Sequence, residues 1–205
     1  MRRFKHRRVE PDEIRMAAVG VAFEQGLHSV TLETIAERLQ VPLRSVTADR
    51  PDQSVVIAEA FSRIVAAELA EVKRVVLAYP SPVKQMTALL ETLAEPSRAE
   101  VDSVWLESWS LGRRNLALGA AVREEEGAWH VFVASVVRRG VRSGDFLAVD
   151  PDEVAAQLLA MIDGVNAYAL VGYRSDLDRL KLLTTIARAE LGVSFEGAAA
   201  PAAAR

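Results

Sequence analysis

Glu126 and His130 stand four residues apart, the spacing at which a helix brings a carboxylate and an imidazole onto one face and within reach of a shared metal. Metal centres in helical bundles need a second matching pair, and the other histidines, His6 and His28, lie in the first 30 residues without one. Glu124 to Glu126 reads as a solvated run of charge. The chain has no cysteine, which removes thiolate metal sites, disulfides and cysteine nucleophiles together. No phosphate-cradling or dinucleotide glycine motif is present, and Ser, His and Asp stand in no nucleophile context. These absences argue against an enzyme and against a bound cofactor. What remains able to act specifically is cationic and aromatic: a cluster of Arg2, Arg3, Lys5, Arg7 and Arg8 beside His6, the arginines Arg44 and Arg50, and the tryptophans Trp105, Trp109 and Trp129. Guanidinium groups suit phosphates and guanine edges, and indole rings suit apolar or cationic ligands.

The charge distribution agrees with a nucleic-acid partner. Residues 1 to 50 carry nine Lys and Arg against seven Asp and Glu, while the rest carries sixteen against twenty-one. A basic start can follow phosphates and release their counterions, although a merely solvated start has the same composition. Half of the 205 residues are apolar, enough for a core without staples. No stretch approaches the roughly 20 uninterrupted apolar residues of a membrane helix, and the basic start lacks the apolar run of a secretory signal. The expectation is a soluble cytoplasmic chain with no membrane partner.

Helical periodicity dominates, so the fold class is all-α. A first helix is expected after Pro11 to about Gln25, with Ile14, Ala18, Val21 and Ala22 on one face and Gly26 to stop it. Thr31 suits the N-cap of a second helix whose buried stripe is Ile35, Ala36 and Leu39. Pro42 opens a short third helix to about Asp49. A long helix from about Pro51 and Asp52 to Ala78 should join two domains before Tyr79, Pro80, Ser81 and Pro82 break it. Further helices are expected from Pro82 to about Ala94, after a Ser97 and Glu100 capping box, through Val122 to Arg142 with Gly144 as stop, from Asp150 and Pro151 to about Gly172, and from about Asp176 to Leu191.

Three short helices with a tight turn before the third describe a helix-turn-helix whose third helix can enter a major groove. Ile14, Ala17, Ala18, Phe23, Gly26, Val30, Thr31, Leu32, Ile35, Ala36 and Val41 resemble the start of TetR-family regulators. Trp105, Glu107, Trp109, Trp129, Gly140, Gly144, Phe146, Asp150, Pro151, Asp163 and Gly164 are similar to the C-terminal domain of the choline-responsive members of that family. The resemblance covers nearly the whole chain. It implies an N-terminal three-helix head joined by a long helix to a C-terminal helical bundle that dimerises, and a regulator, read as a repressor, whose hold on a palindromic operator in double-stranded DNA responds to a small-molecule effector.

The turn and third helix depart from the family pattern. Where the family usually reads Gly-Val-Ser-Lys-Gly-x-Leu-Tyr-x-His-Phe, residues 40 to 50 read Gln-Val-Pro-Leu-Arg-Ser-Val-Thr-Ala-Asp-Arg, keeping only the anchors Val41 and Val46. Gln40 replaces a glycine of positive φ, an exchange that costs roughly 1 to 2 kcal/mol if the backbone keeps its shape. Thr47, Arg50 and Gln53 stand where a Tyr, a Phe and a Lys are usual, and Asp49 adds a negative charge. The expected DNA contacts are Arg44 at a guanine edge, then Thr31, Pro42, Leu43, Ser45, Thr47, Arg50 and Gln53, with Arg3, Lys5 and Arg7 of the arm in an adjacent minor groove. An all-α dimeric sensor or adaptor of the same fold, with weak or lost specific DNA binding, is the alternative that this rewritten stretch raises.

For the effector, Trp105, Trp109 and Trp129 with Met86, Leu90, Met161, Asn166 and Tyr168 are the expected pocket, with Glu107 suited to a cationic ligand; the competing reading is that they fill the core. Val133, Val136 and Val137 on one helix and Ala155, Leu159, Ile162 and Ala169 on the next form apolar stripes expected to make a four-helix dimer interface, unless both pack inward within one subunit. The expected division is a basic arm over residues 1 to 10, the helix-turn-helix over 11 to 51, the sensing and dimerisation domain over 52 to 193, and a disordered Ala-rich tail over 194 to 205.

Overall fold

The computed structural model describes residues 8–49, 51–174 and 178–193. Among them every regular element is a helix: α1 (Pro11–Gln25), α2 (Leu32–Leu39), α3 (Leu43–Val46), α4 (Gln53–Leu77), α5 (Pro82–Ala94), α6 (Ala99–Gly112), α7 (Leu116–Ser143), α8 (Pro151–Leu170) and α9 (Arg179–Leu191). The all-α expectation is met. Thr31 and Asp150 cap as expected, and Ser81 and Asp52 add bonds of the same kind. Thr31 accepts the Thr34 amide at 3.1 Å to cap α2, and Ser81 caps α5 ahead of Pro82. Asp150 accepts the Asp152 amide at 2.9 Å to start α8. The Ser54 hydroxyl and amide, hydrogen-bonded to Asp52, hold its carboxyl below the usual range at the start of α4.

Some boundaries differ from expectation. The last helix starts at Arg179, because Asp178 turns its carboxylate onto the Lys181 amide at 2.9 Å and acts as the cap. A 3₁₀ turn, Pro96–Arg98, leads into α6 where a capping box at Ser97 and Glu100 was expected. α7 begins well before Val122, with Asn115 accepting the Leu118 amide at 3.0 Å. The expected disordered tail lies outside the described residues.

The described residues fall into two compact units, one running up to Glu68 and including Ala99–Gly127, the other made of Leu69–Arg98 and the described residues from Ala128 onward. α4 and α7 each contribute to both.

In the first unit, Ile14, Ala18 and Val21 of α1, Ile35 and Ala36 of α2, and Phe61 and Val65 of α4 share one core. Polar clasps frame it. Arg38 on α2 gripping Glu24 on α1 with two bonds of 2.8 Å, and Arg15 on α1 holding Glu59 on α4 at 2.8 Å, tie three helices together. Asn115 donates to the Ser54 carbonyl at 3.1 Å. α6 closes the unit with two tryptophans. Trp105 meets Phe61 edge to face at 5.1 Å and donates its indole N–H to Glu68 at 2.9 Å; Trp109 lies 6.2 Å from Trp105 and donates to Glu126 at 3.1 Å. Burial pushes the Glu126 carboxyl up, and the Trp109 bond opposes that shift only in part.

In the second unit α5, α8 and α9 pack together. Met86, Leu89, Leu90, Val133, Val137, Leu158, Leu183 and Leu191 are among its most buried side chains. A partly buried polar chain runs through Gln85: Arg139 donates to the Gln85 side chain at 2.7 Å, which donates to the Tyr79 carbonyl at 2.7 Å, and partial burial lowers the Arg139 guanidinium. Gly140 is required by packing, because the Phe146 ring occupies the space a β-carbon would fill.

Two outcomes follow. Replacing Gln40 by Gly should raise unfolding free energy by about 1 kcal/mol in urea titrations, since a residue without a β-carbon enters the left-handed region freely. The raised Glu126 carboxyl binds its proton more tightly folded than unfolded, so its contribution to stability is greatest at low pH and falls as pH climbs through the folded value. Glu126→Gln, which keeps an acceptor for Trp109, should therefore raise Tm at pH 7 and leave it unchanged near pH 3.

Candidate nucleic-acid interface and sensing core

The turn after α2 keeps the expected shape without a glycine. Gln40 sits at φ 55°, ψ 41°, which reverses the chain and drops Val41, 3% exposed, into the core of the first unit. Pro42 then precedes a single helical turn instead of the expected helix to Asp49. Thr47 closes this turn, its amide and its hydroxyl both bonding to the Leu43 carbonyl, at 3.0 and 3.2 Å. Val46 anchors the turn at 1% exposure. Leu43 and Arg44 point outward, with Pro42, Ser45 and Thr47 half-buried beside them and Gln53 exposed at the start of α4.

The hydroxyl inventory sorts these side chains further. Thr47 already donates to a carbonyl, so the unperturbed turn presents its lone pairs and not a phosphate donor. At Thr31 the neighbouring Thr34 hydroxyl is engaged with the Ser29 carbonyl at 2.7 Å, which leaves the Thr31 hydroxyl hydrogen as the mobile donor of the pair. Arg8 lies 3.6 Å from Asp49 and offsets the acidic charge that the sequence placed beside the reading surface. Arg3, Lys5, Arg7 and Arg50 lie outside the described residues.

Glu107 does not serve as a free anion for a ligand. Its Oε2 accepts from the His28 amide and faces the His28 Nδ1, both at 3.1 Å, and so fastens α6 to the 3₁₀ turn Leu27–Ser29. Gly26, at φ 90°, is where that carboxylate approaches the backbone, and a β-carbon there would collide with it. Periodicity cannot foresee this bond between residues 79 apart in sequence.

The residues expected to form one ligand pocket fall in both units. Trp105 and Trp109 belong to the first, with their indole N–H groups satisfied by carboxylates. Met86, Leu90, Trp129, Met161, Asn166 and Tyr168 belong to the second. Met86 and Leu90 are fully buried, and Asn166 accepts from Arg179 at 3.3 Å. Tyr168 is half exposed and meets Tyr173 edge to face at 5.0 Å. Trp129 is 4% exposed, and its indole N–H has no acceptor among the described residues. Glu126 and His130 are engaged separately, Glu126 by Trp109 and His130 Nε2 by the Asp152 carbonyl at 2.9 Å.

The dimer stripes require a correction. Val133, Val136, Val137, Ala155 and Ile162 are each at most 4% exposed within the single chain, so their apolar surface is already taken up by the core of their own unit. Of the seven, only Leu159 and Ala169 retain surface that another subunit could touch. A helix flanked on several sides buries more than one stripe, and the sequence pattern does not say which stripe meets which neighbour.

Residues 82–195 match the family model described as BetI-type transcriptional repressor, C-terminal. No curated protein matches the chain. Among solved structures, a transcriptional regulator from Saccharomonospora viridis in complex with choline superposes with a TM-score of 0.77 at 23% identity, covering 88% of this chain and 96% of that one. A TetR transcription regulator from Haloarcula marismortui gives 0.74 at 20% identity, with 88% and 97% covered. A TetR-family regulator from Rhodococcus sp. gives 0.73 at 18% identity, with 88% and 97% covered. These likenesses establish the fold. The family match extends over more than half of the sequence, and the chain thus belongs to the TetR family of transcriptional regulators, with a C-terminal domain of the BetI type.

Proposed function

We propose that this protein is a DNA-binding repressor that acts as a homodimer on a palindromic operator and is modulated by a small molecule bound in its C-terminal domain, the reading head being residues 11 to 51. The observation that carries the reading is the left-handed turn at Gln40, which keeps the helix-turn-helix backbone and sets Leu43 and Arg44 outward on α3. Arg44 is the candidate for a guanine edge, Leu43 for a thymine methyl, and Thr31 and Gln53 for phosphates. The arm of Arg3, Lys5 and Arg7 supplies cationic contacts that this head otherwise lacks. For the effector, a small cation is favoured by the choline in the complex from Saccharomonospora viridis and by the buried Trp129, whose ring face can hold a cation and whose N–H can meet a ligand oxygen. α4, shared by both packing units, is the candidate relay between effector and head.

One observation favours a second reading. A reading helix of one turn offers few base contacts, which suits a sensor or adaptor without specific DNA binding.

Gel shifts with the promoter region beside its own gene separate the two. Nanomolar binding that survives scrambled competitor is expected, and only micromolar, salt-sensitive binding would support the adaptor instead. Arg44→Ala should weaken specific binding by about 1 to 3 kcal/mol and relax preference at one base position. Deleting residues 1 to 8 should weaken binding and flatten its dependence on salt; unchanged affinity and slope would remove the arm from the interface. Choline should both raise Tm and alter operator affinity, and a thermal shift with unaltered affinity would contradict coupling between the two ends.

A further inference from the structure

The first unit contains a cavity of about 270 Å³ that the DNA-binding reading leaves unused. Pro11, Ile14, Val55 and Val56 give it an apolar floor, with Asp49 and Asp52 at its rim. Glu59 and Arg15 also line it, but they neutralise each other through their 2.8 Å ion pair. Val55 is 41% exposed at this recess, so its methyl groups are open to an occupant. An apolar recess edged by carboxylates calls for an apolar group flanked by cations.

The chain carries such a segment immediately before Arg8 in sequence. Residues 1 to 7 read Met-Arg-Arg-Phe-Lys-His-Arg, one aromatic ring among four cationic side chains. The segment joins the described chain at Arg8, whose guanidinium is already 3.6 Å from Asp49 on the rim. Phe4 precedes Arg8 by four residues, a span of up to about 13 Å when extended, and Pro11 is itself part of the lining. So short a tether keeps the arm near the recess at an effective concentration of order millimolar, so a weak complement is enough to populate contact.

We propose that, without nucleic acid, the arm docks on its own head, with the Phe4 ring in the cavity and the neighbouring cationic side chains against Asp49 and Asp52. Docking holds the arm's charges against carboxylates until phosphates compete for them, which makes the arm a releasable element and not a free tail. Because the docked state exists without DNA, it is tested separately from operator recognition.

The test is solution NMR of the full-length chain with labelled Ile and Val methyl groups, at low salt and without DNA. Nuclear Overhauser contacts from the Phe4 ring protons to the Ile14 and Val55 methyls are expected. They should lose at least half their intensity in an Asp49→Asn, Asp52→Asn double variant, in which asparagine still caps α4. Phe4→Ala should shift the same methyl signals, with Tm unchanged as a control on folding. Absence of the contacts would overturn the proposal, as would their persistence at full intensity in the double variant. Contacts seen only between differently labelled copies in a mixed sample would overturn docking on the arm's own head in favour of a second copy.

Discussion

A glutamine held at φ 55° and ψ 41° is the constraint on which the reading head rests. An α2 that continued straight would carry Val41 away from the core. The left-handed residue instead sends the chain back, buries Val41 and lets Pro42 start a new turn whose own anchor, Val46, is also buried. The Gln40 amide bonds back to the last carbonyls of α2 and partly satisfies the helix end. A residue with a β-carbon persists in such a conformation only when its surroundings over-determine it, and here two buried valines on the far side of the turn do so. The outward Leu43 and Arg44 are set by those inward anchors.

The head does not hold itself. Eight-residue and four-residue helices are too short to be stable alone, and the first unit draws stability from segments far along the chain. α6 supplies Glu107, which grips the turn between α1 and α2, and Trp105, which closes over Phe61. Asn115 ties the start of α7 to α4. The packing unit that contains the helix-turn-helix therefore takes in α6 and parts of α4 and α7, and through Glu107 α6 grips the turn that leads into α2.

The second unit follows a different logic. Its long helices carry apolar residues on more than one face, and the most regular stripes, through Val133 and Val137 and through Ala155 and Ile162, are consumed by the protomer's own core. Burial there also tolerates polarity where it is paired, as in the chain from Arg139 through Gln85 to the Tyr79 carbonyl. Trp129 departs from that pattern, since its ring is buried while its N–H finds no acceptor among the described residues.

The amino-acid sequence by itself determined what depends on neighbours within a few positions. Thr31, Ser81 and Asp150 are caps because a short side chain can reach an amide two or three residues on, Gly26 and the Tyr79–Pro82 run stop helices, and the helical period makes the class all-α. The scaffold of the helix-turn-helix was legible for the same reason, as was the strain at position 40. Tertiary structure alone decided the rest. The end of α3 at Val46 was not set by its local residues, the role of Glu107 turned on a contact across 79 residues, and the division of the tryptophans on which core each helix joined. Periodicity reports that a face is apolar and leaves its partner undefined, because burial against the protomer's own core and burial against a second subunit demand the same residues at the same spacing.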